Sequence, residues 1–170
     1  PTLPPALAAT LPGGGATYHP ARLVLLPPEA MRDIAPAVGE RLRIPLVPTR
    51  NATPTERTVE DRAMVMVSTL PVRDGDGRLL GVLSGGLLLN QNLDFIDHIN
   101  RIVYPEGSLP FGSQGTATLF LDDVRITTNV RLFQDQRAVG TRVSQAVRHA
   151  VLRDGQTWLD RAFVVNDWYV

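Results

Sequence analysis

GTATLFLDDVRITTNV at 115–130 and AVGTRVSQAVRHAVLRDGQTWLDRAFVVNDWYV at 138–170 decide the fold. Gly115 to Leu121 and Val124 to Val130 are runs of β-formers separated only by Asp122-Asp123, a polar pair suited to a tight hairpin turn. Thr141 or Ser144 can then cap a helix of about three turns. Its apolar positions Val143, Ala146, Val147, Ala150 and Val151 recur at helical spacing, and Gly155 stands where a left-handed stop belongs. Trp158 to Val165 alternates as a strand, Asn166-Asp167 supplies another two-residue turn, and Trp168-Tyr169-Val170 opens a returning strand that the sequence does not finish. A half-made apolar strand leaves an edge open to stray pairing, so we expect a piece of a longer chain, or final strands lying past Val170.

Upstream, Ala63 to Val72 and Arg78 to Leu89 flank Asp74-Gly75-Asp76-Gly77, a second hairpin signal, and both runs are apolar on each face, which predicts central strands. Leu93, Ile96, Ile99 and Val103 trace one side of a helix from about Asn92 to Val103, with Asp94, Asp97 and Arg101 turned to water. That helix would carry the chain between modules, and PEGSLPFG at 105–112 is the break. Arg22 to Leu26 predicts a strand, Pro27-Pro28-Glu29 a helix start that Pro36 interrupts, Arg43 to Val47 a further strand, and Pro48 to Glu60 a loop. The first twenty residues are rich in Pro and Gly and predict a surface segment, with a short helical turn around Ala6 to Ala9. The class is α/β (α+β), in two modules of hairpin plus helix: 1–104, a linker at 105–114, and 115–170.

Composition narrows the function. Seventeen basic residues, all Arg, balance seventeen acidic ones, so no net field favours nucleic acid or an acidic lipid surface. Cysteine is absent, which removes disulfides and thiolate chemistry but leaves the compartment open. Pro1 to Leu11 lacks the basic flank of a signal peptide, and the longest apolar run, Leu79 to Leu89, is too short to span a bilayer.

The quoted words at 115–130 and 138–170 resemble the membrane-proximal module of tandem Cache domains, the PAS-like extracytoplasmic sensors of bacterial histidine kinases and chemoreceptors. MVMVSTLPVRDGDGRLLGVLSGGLLLNQNLDFID, from Met64 to Asp97, resembles the closing hairpin and exit helix of the membrane-distal module. The resemblance implies two PAS-like modules, each an antiparallel sheet with flanking helices. The family's long N-terminal helix has no counterpart in this sequence, and the second module is truncated before its last strands. It further implies a periplasmic location, membrane anchors outside this chain, a homodimer, a small-molecule ligand and no cofactor.

Such a module holds its ligand against the concave face of the sheet, so strand parity nominates residues. Leu159, Arg161, Phe163 and Val165 share one face. A guanidinium on an apolar face is costly to bury unless an anion or several acceptors meet it. Arg161 therefore reads either as a carboxylate clamp or as a structural partner of an acid such as Asp167, or as an edge residue reaching water. On the earlier strand Val124, Ile126, Thr128 and Val130 share a face, making Thr128 the polar pocket candidate, while Arg125, Thr127 and Asn129 fall opposite. Asn129 serves the pocket if a bulge changes its side, or stabilises a turn. With Asn166-Asp167 as the turn, Trp168 pairs with Val165 and joins the Arg161 face. Trp158 and Trp168 line either the pocket or the core.

Tyr18, His19 and Arg62 are the polar contacts available in the first half, with no pattern that specifies a pocket. Asp74 and Asp76 lack the further acids of a calcium loop and read as a plain turn. His19, His98 and His149 are isolated, Gly13-Gly14-Gly15 lacks the setting of a phosphate loop, and Asp122-Asp123 reads as exposed turn rather than acid and base. Catalysis is not expected. The reading is a ligand-binding sensor region whose ligand must favour one arrangement of the receptor over another, since equal affinity for both transmits nothing. A dimerisation module without ligand, or a hydrolase fragment with a site completed elsewhere, are the alternatives.

Overall fold

The computed structural model describes residues 21–132, 136–160, 162–164 and 167–169, the last two stretches and Glu40 by backbone alone. Two compact units result, one of residues up to Leu42 with Asp61–Asn90, the other of Arg43–Glu60 with the chain from Gln91 onward. This division departs from a boundary at 105–114, because the loop before residue 60 and the helix after residue 92 both take their hydrogen bonds from the second unit.

The first unit is built on the strands expected of it. β1 (Arg22–Leu26) pairs antiparallel with β4 (Ala63–Arg73), and β4 with β5 (Leu79–Leu88), in the order β1-β4-β5. Asp74 closes the hairpin as a turn residue, its carboxylate accepting from the backbone N–H groups of Asp76 and Arg78 at 3.1 and 2.8 Å. Pro28 opens α1 (Pro28–Ile34), with Glu29 at its positive end, and Pro36 starts a separate 3₁₀ turn because it cannot continue the ladder. A second short helix, α2 (Gly39–Leu42), follows. Leu26, Met31, Leu42, Ala63, Val65 and Val67 form the buried core between these helices and the sheet.

Only β4 is central. β5 lies at the edge of the described sheet, and Leu79, Leu80 and Leu83 are more than half exposed. Apolar residues on both faces of a run report composition and not neighbours, which is why the hairpin's second strand was expected inside.

In the second unit β2 (Ile44–Pro45) and β3 (Val59–Glu60) form a two-residue ladder, far shorter than the strand expected over 43–47. Asn92 caps α3 (Leu93–Val103) by accepting from the Phe95 N–H at 3.1 Å. This helix is not a bridge between units. Its entry is stitched to the second hairpin, with Gln91 N–H donating to the Ile126 carbonyl at 2.9 Å and the Thr127 hydroxyl to the Asn92 carbonyl at 3.2 Å. Ile96 is buried as its spacing demands, while Val103 is exposed.

β6 (Thr118–Leu121) and β7 (Val124–Thr128) are the expected hairpin, with Leu121 opposite Val124 across the two-residue turn. Ser144 caps α4 (Gln145–Arg148), accepting from the Val147 N–H at 3.3 Å; the chain continues as a π turn over His149–Arg153 and stops at Gly155 with φ of 65°. Thr141 is no cap: it is buried, and its hydroxyl donates to the Ala138 carbonyl at 2.7 Å. Of the strand expected over 158–165, the described part is β8 (Ala162–Val164), paired with β9 (Asp167–Tyr169), and 158–160 lie outside it. Their register sets Val164 opposite Asp167 and Phe163 opposite Trp168, so the partner of Trp168 lies two residues before the expected Val165. Leu159 consequently lies outside the strand and is 90% exposed, so strand parity does not place it in a pocket.

Candidate ligand-binding site

β7 is the strand around which the polar side chains of the second unit gather. β6 covers one edge and residues 137–143 run along the other, with Arg125 N–H donating to the Thr141 carbonyl at 2.9 Å, Gly140 N–H to Arg125 at 2.8 Å and Ala138 N–H to Val130 at 2.9 Å. Flanked twice, every residue of β7 is buried, Arg125 included. Its guanidinium donates to the Thr141 hydroxyl and sits 5.0 Å from the centroid of the Phe120 ring, whose face offers the negative side of an aromatic quadrupole. Strand parity alone sets Arg125 on the face opposite Thr128. The signal for a buried cation was present in its position within a β-rich run, but two of its partners lie at 120 and 141.

Asp123 forms the second polar centre. Expected as an exposed turn residue, it is 4% exposed, and its carboxylate meets Arg142 at 2.6 Å and Arg148 at 3.5 Å. Arg142 also donates to the Thr53 carbonyl at 2.6 Å, so one ion pair ties the hairpin turn, the crossover segment and the loop before β3. Asp97, whose side chain keeps 31% of its surface exposed, also takes both arms of Arg137, at 2.8 and 2.7 Å, which binds α3 to the segment alongside β7.

The Arg137 hydrogen bonds, and after them the charges of Arg137, Arg101 and Arg131, hold the Asp97 carboxyl below its ordinary value of 3.8, with partial burial opposing them. A depressed folded-state value means the stabilisation is present above the ordinary carboxylate range and is lost as the pH falls through the depressed one. Urea melts should show Asp97→Asn less stable than the parent by about 1–2 kcal/mol at pH 7, with the gap narrowing as the pH falls below 3.8. A gap independent of pH would place the effect in packing instead.

Of the residues nominated from sequence, Thr128 is fully buried, its hydroxyl 2.6 Å from that of Thr118 and accepting from the Val130 N–H at 3.0 Å. Asn129 accepts from the Ala117 N–H at 2.7 Å and donates to the Gly115 carbonyl at 3.3 Å, securing the strand's entry. Both side chains are thus engaged by the fold. The bulge between Leu119 and Phe120 puts Ile126 outside the pairing and breaks the alternation on which the parity argument rested. Trp158 is half-buried, with its indole N–H shielded from solvent. Arg161, Tyr18 and His19 lie outside the described residues, as do the side chains of Phe163, Asp167 and Trp168.

The first unit contains a cleft that no sequence pattern announced. About 360 Å³ in volume, it opens between α1 with its following 3₁₀ turn and the inner face of the β1-β4-β5 sheet. Met31, Val65 and Val67 are buried along it, Val38 and Leu88 are half-buried, and Ile34 is exposed at its margin. Ser84 is the one described lining residue with a polar side chain.

Residues 87–170 match the family model for single cache domain 3, a stretch running from the end of β5 through β9. The match supports a Cache sensor domain over that stretch, in a mixed helical and antiparallel-sheet fold consistent with the PAS-like class. Cache domains are typically extracellular small-ligand sensors and are not catalytic. No curated protein and no solved structure gives a significant match to the chain. Among the described residues, no helix is long and apolar enough to cross a membrane.

Proposed function

We propose that this chain is the extracytoplasmic sensor region of a bacterial transmembrane receptor, of the histidine kinase or chemoreceptor type, and that it binds a small carboxylate or similar metabolite. The Cache match over 87–170 carries this reading. It agrees with the order of elements there: the Asn92-capped helix, a hairpin, the Ser144-capped helix and a second hairpin. The receptor acts as a homodimer in the inner membrane, with two PAS-like modules on the periplasmic side. Ligand binding shifts the population between two arrangements by the difference in its affinity for them.

Arg161 is the proposed clamp. It directly precedes β8, and a planar guanidinium can hold a carboxylate through two parallel hydrogen bonds. Phe163, Trp168, Trp158 and Asp167 are proposed as its surroundings. A thermal-shift screen of small carboxylates tests the assignment. A true ligand at a hundredfold excess over Kd should stabilise the parent by about 2.7 kcal/mol and leave the melting of Arg161→Ala unchanged. Equal shifts in both proteins would remove Arg161 from the site.

A second reading, a dimerisation module that binds no ligand, is favoured by the engagement of Thr128 and Asn129 within the fold. It would be preferred if no compound shifted a cooperatively melting protein.

A further inference from the structure

We infer that the cleft of the first unit is a second binding site, selective for a small uncharged molecule with an apolar body and one hydroxyl or carbonyl group. The inference goes beyond the proposed sensor function, since it concerns a different compact unit and a different ligand chemistry. Its volume of about 360 Å³ falls in the range of small-molecule pockets.

The space exists because little fills it from the sheet side. Gly85 and Gly86 bring no side chains, and at Gly86 a Cβ would come to 3.0 Å from Val65 Cγ1, so the floor is kept bare. Ala35, between α1 and the 3₁₀ turn, adds only a methyl from the helical side. At the cleft's inner end, beside the buried Met31, Val65 and Val67, water is a poor occupant. A buried water needs two to four polar partners, and Ser84 is the one polar side chain among the described lining residues.

No charged side chain lies among those residues, so an ionised group would be desolvated there without compensation. An apolar body is instead drawn in by the area it removes from water. The Ser84 hydroxyl, on an exposed position of β5, can meet one polar group of the ligand at the margin. A second polar group at the far end would be buried against Met31 and Val65 without a partner.

The matched pair 1-heptanol and 1,7-heptanediol tests this on the isotope-labelled 170-residue chain. We expect 1-heptanol to give saturable shifts of the backbone amides of Ala35, Gly85, Gly86 and Leu88, and the diol to bind about tenfold more weakly or worse. Ser84→Phe, filling the cleft from the sheet, and Val38→Phe, filling it from the helical side, should each abolish those shifts. Either variant suffices if it keeps the parent's circular dichroism. Absence of saturable shifts at these amides, equal affinity for the diol, or shifts that persist in a folded filled variant would overturn the inference.

Discussion

Asp123→Ala should destabilise the second unit by about 3–5 kcal/mol, read from urea melts followed by tryptophan fluorescence. Both tryptophans, Trp158 and Trp168, belong to that unit and report on it selectively. The expected size follows from burial. The side chains of Asp123 and Arg142 are 6% and 10% exposed, so deleting the carboxylate leaves a desolvated guanidinium whose remaining acceptor among the described residues is the Thr53 carbonyl. An exposed ion pair of the same geometry would contribute about 1 kcal/mol or less. Replacing both partners, as Asp123→Leu with Arg142→Met, should recover part of the loss because no uncompensated charge remains. Recovery stays partial, since the Thr53 carbonyl then loses its donor. A change below about 1 kcal/mol in Asp123→Ala would mean that water reaches the pair.

What was legible in the sequence was local. β1, the two tight hairpins, the Asn92-led helix and the Ser144 cap each rest on signals within a few residues, such as a turn pair or a 3.6-residue period. The role of Asp123 was hidden because its partners are 19 and 25 residues away, and a polar residue in a turn ordinarily faces water. The membership of the 43–60 loop was hidden for the same reason. Val47 N–H donates to the Gly140 carbonyl, Gln145 N–H to that of Asn51, and Arg142 N–H to the Thr49 hydroxyl, none of which a local window contains.

On β7 the geometry departs from a regular ladder. One bulge beside Phe120 broke the alternation on β7, and residues 137–143 covered an edge that the sequence left open. Thr128 and Asn129 were identified as polar positions of consequence, and their hydrogen bonds run to Thr118, Ala117 and Gly115. The cleft of the first unit is less legible still, since a space is defined by what glycine and alanine omit.

Gly140→Ala should cost more than about 3 kcal/mol, for two separable reasons. The residue has φ of 84°, and a Cβ there would overlap the Pro45 carbonyl oxygen. Neither the β2 end nor the crossover can retreat freely. Gly140 donates to the Arg125 carbonyl at 2.8 Å and accepts from the Val47 N–H at 2.9 Å, so moving it pulls on β7 and on the loop together. Gly155→Ala isolates the first cost: φ is 65°, nothing lies within 4 Å of its added Cβ, and the expected loss is the left-handed strain alone, about 1–2 kcal/mol. Asparagine separates the terms further. Because Asn tolerates the left-handed region, Gly155→Asn should lie close to the parent, whereas Gly140→Asn should stay as damaged as the alanine variant. Equal losses at the two positions would show that conformation, and not the close approach of Pro45, sets the requirement for glycine at 140.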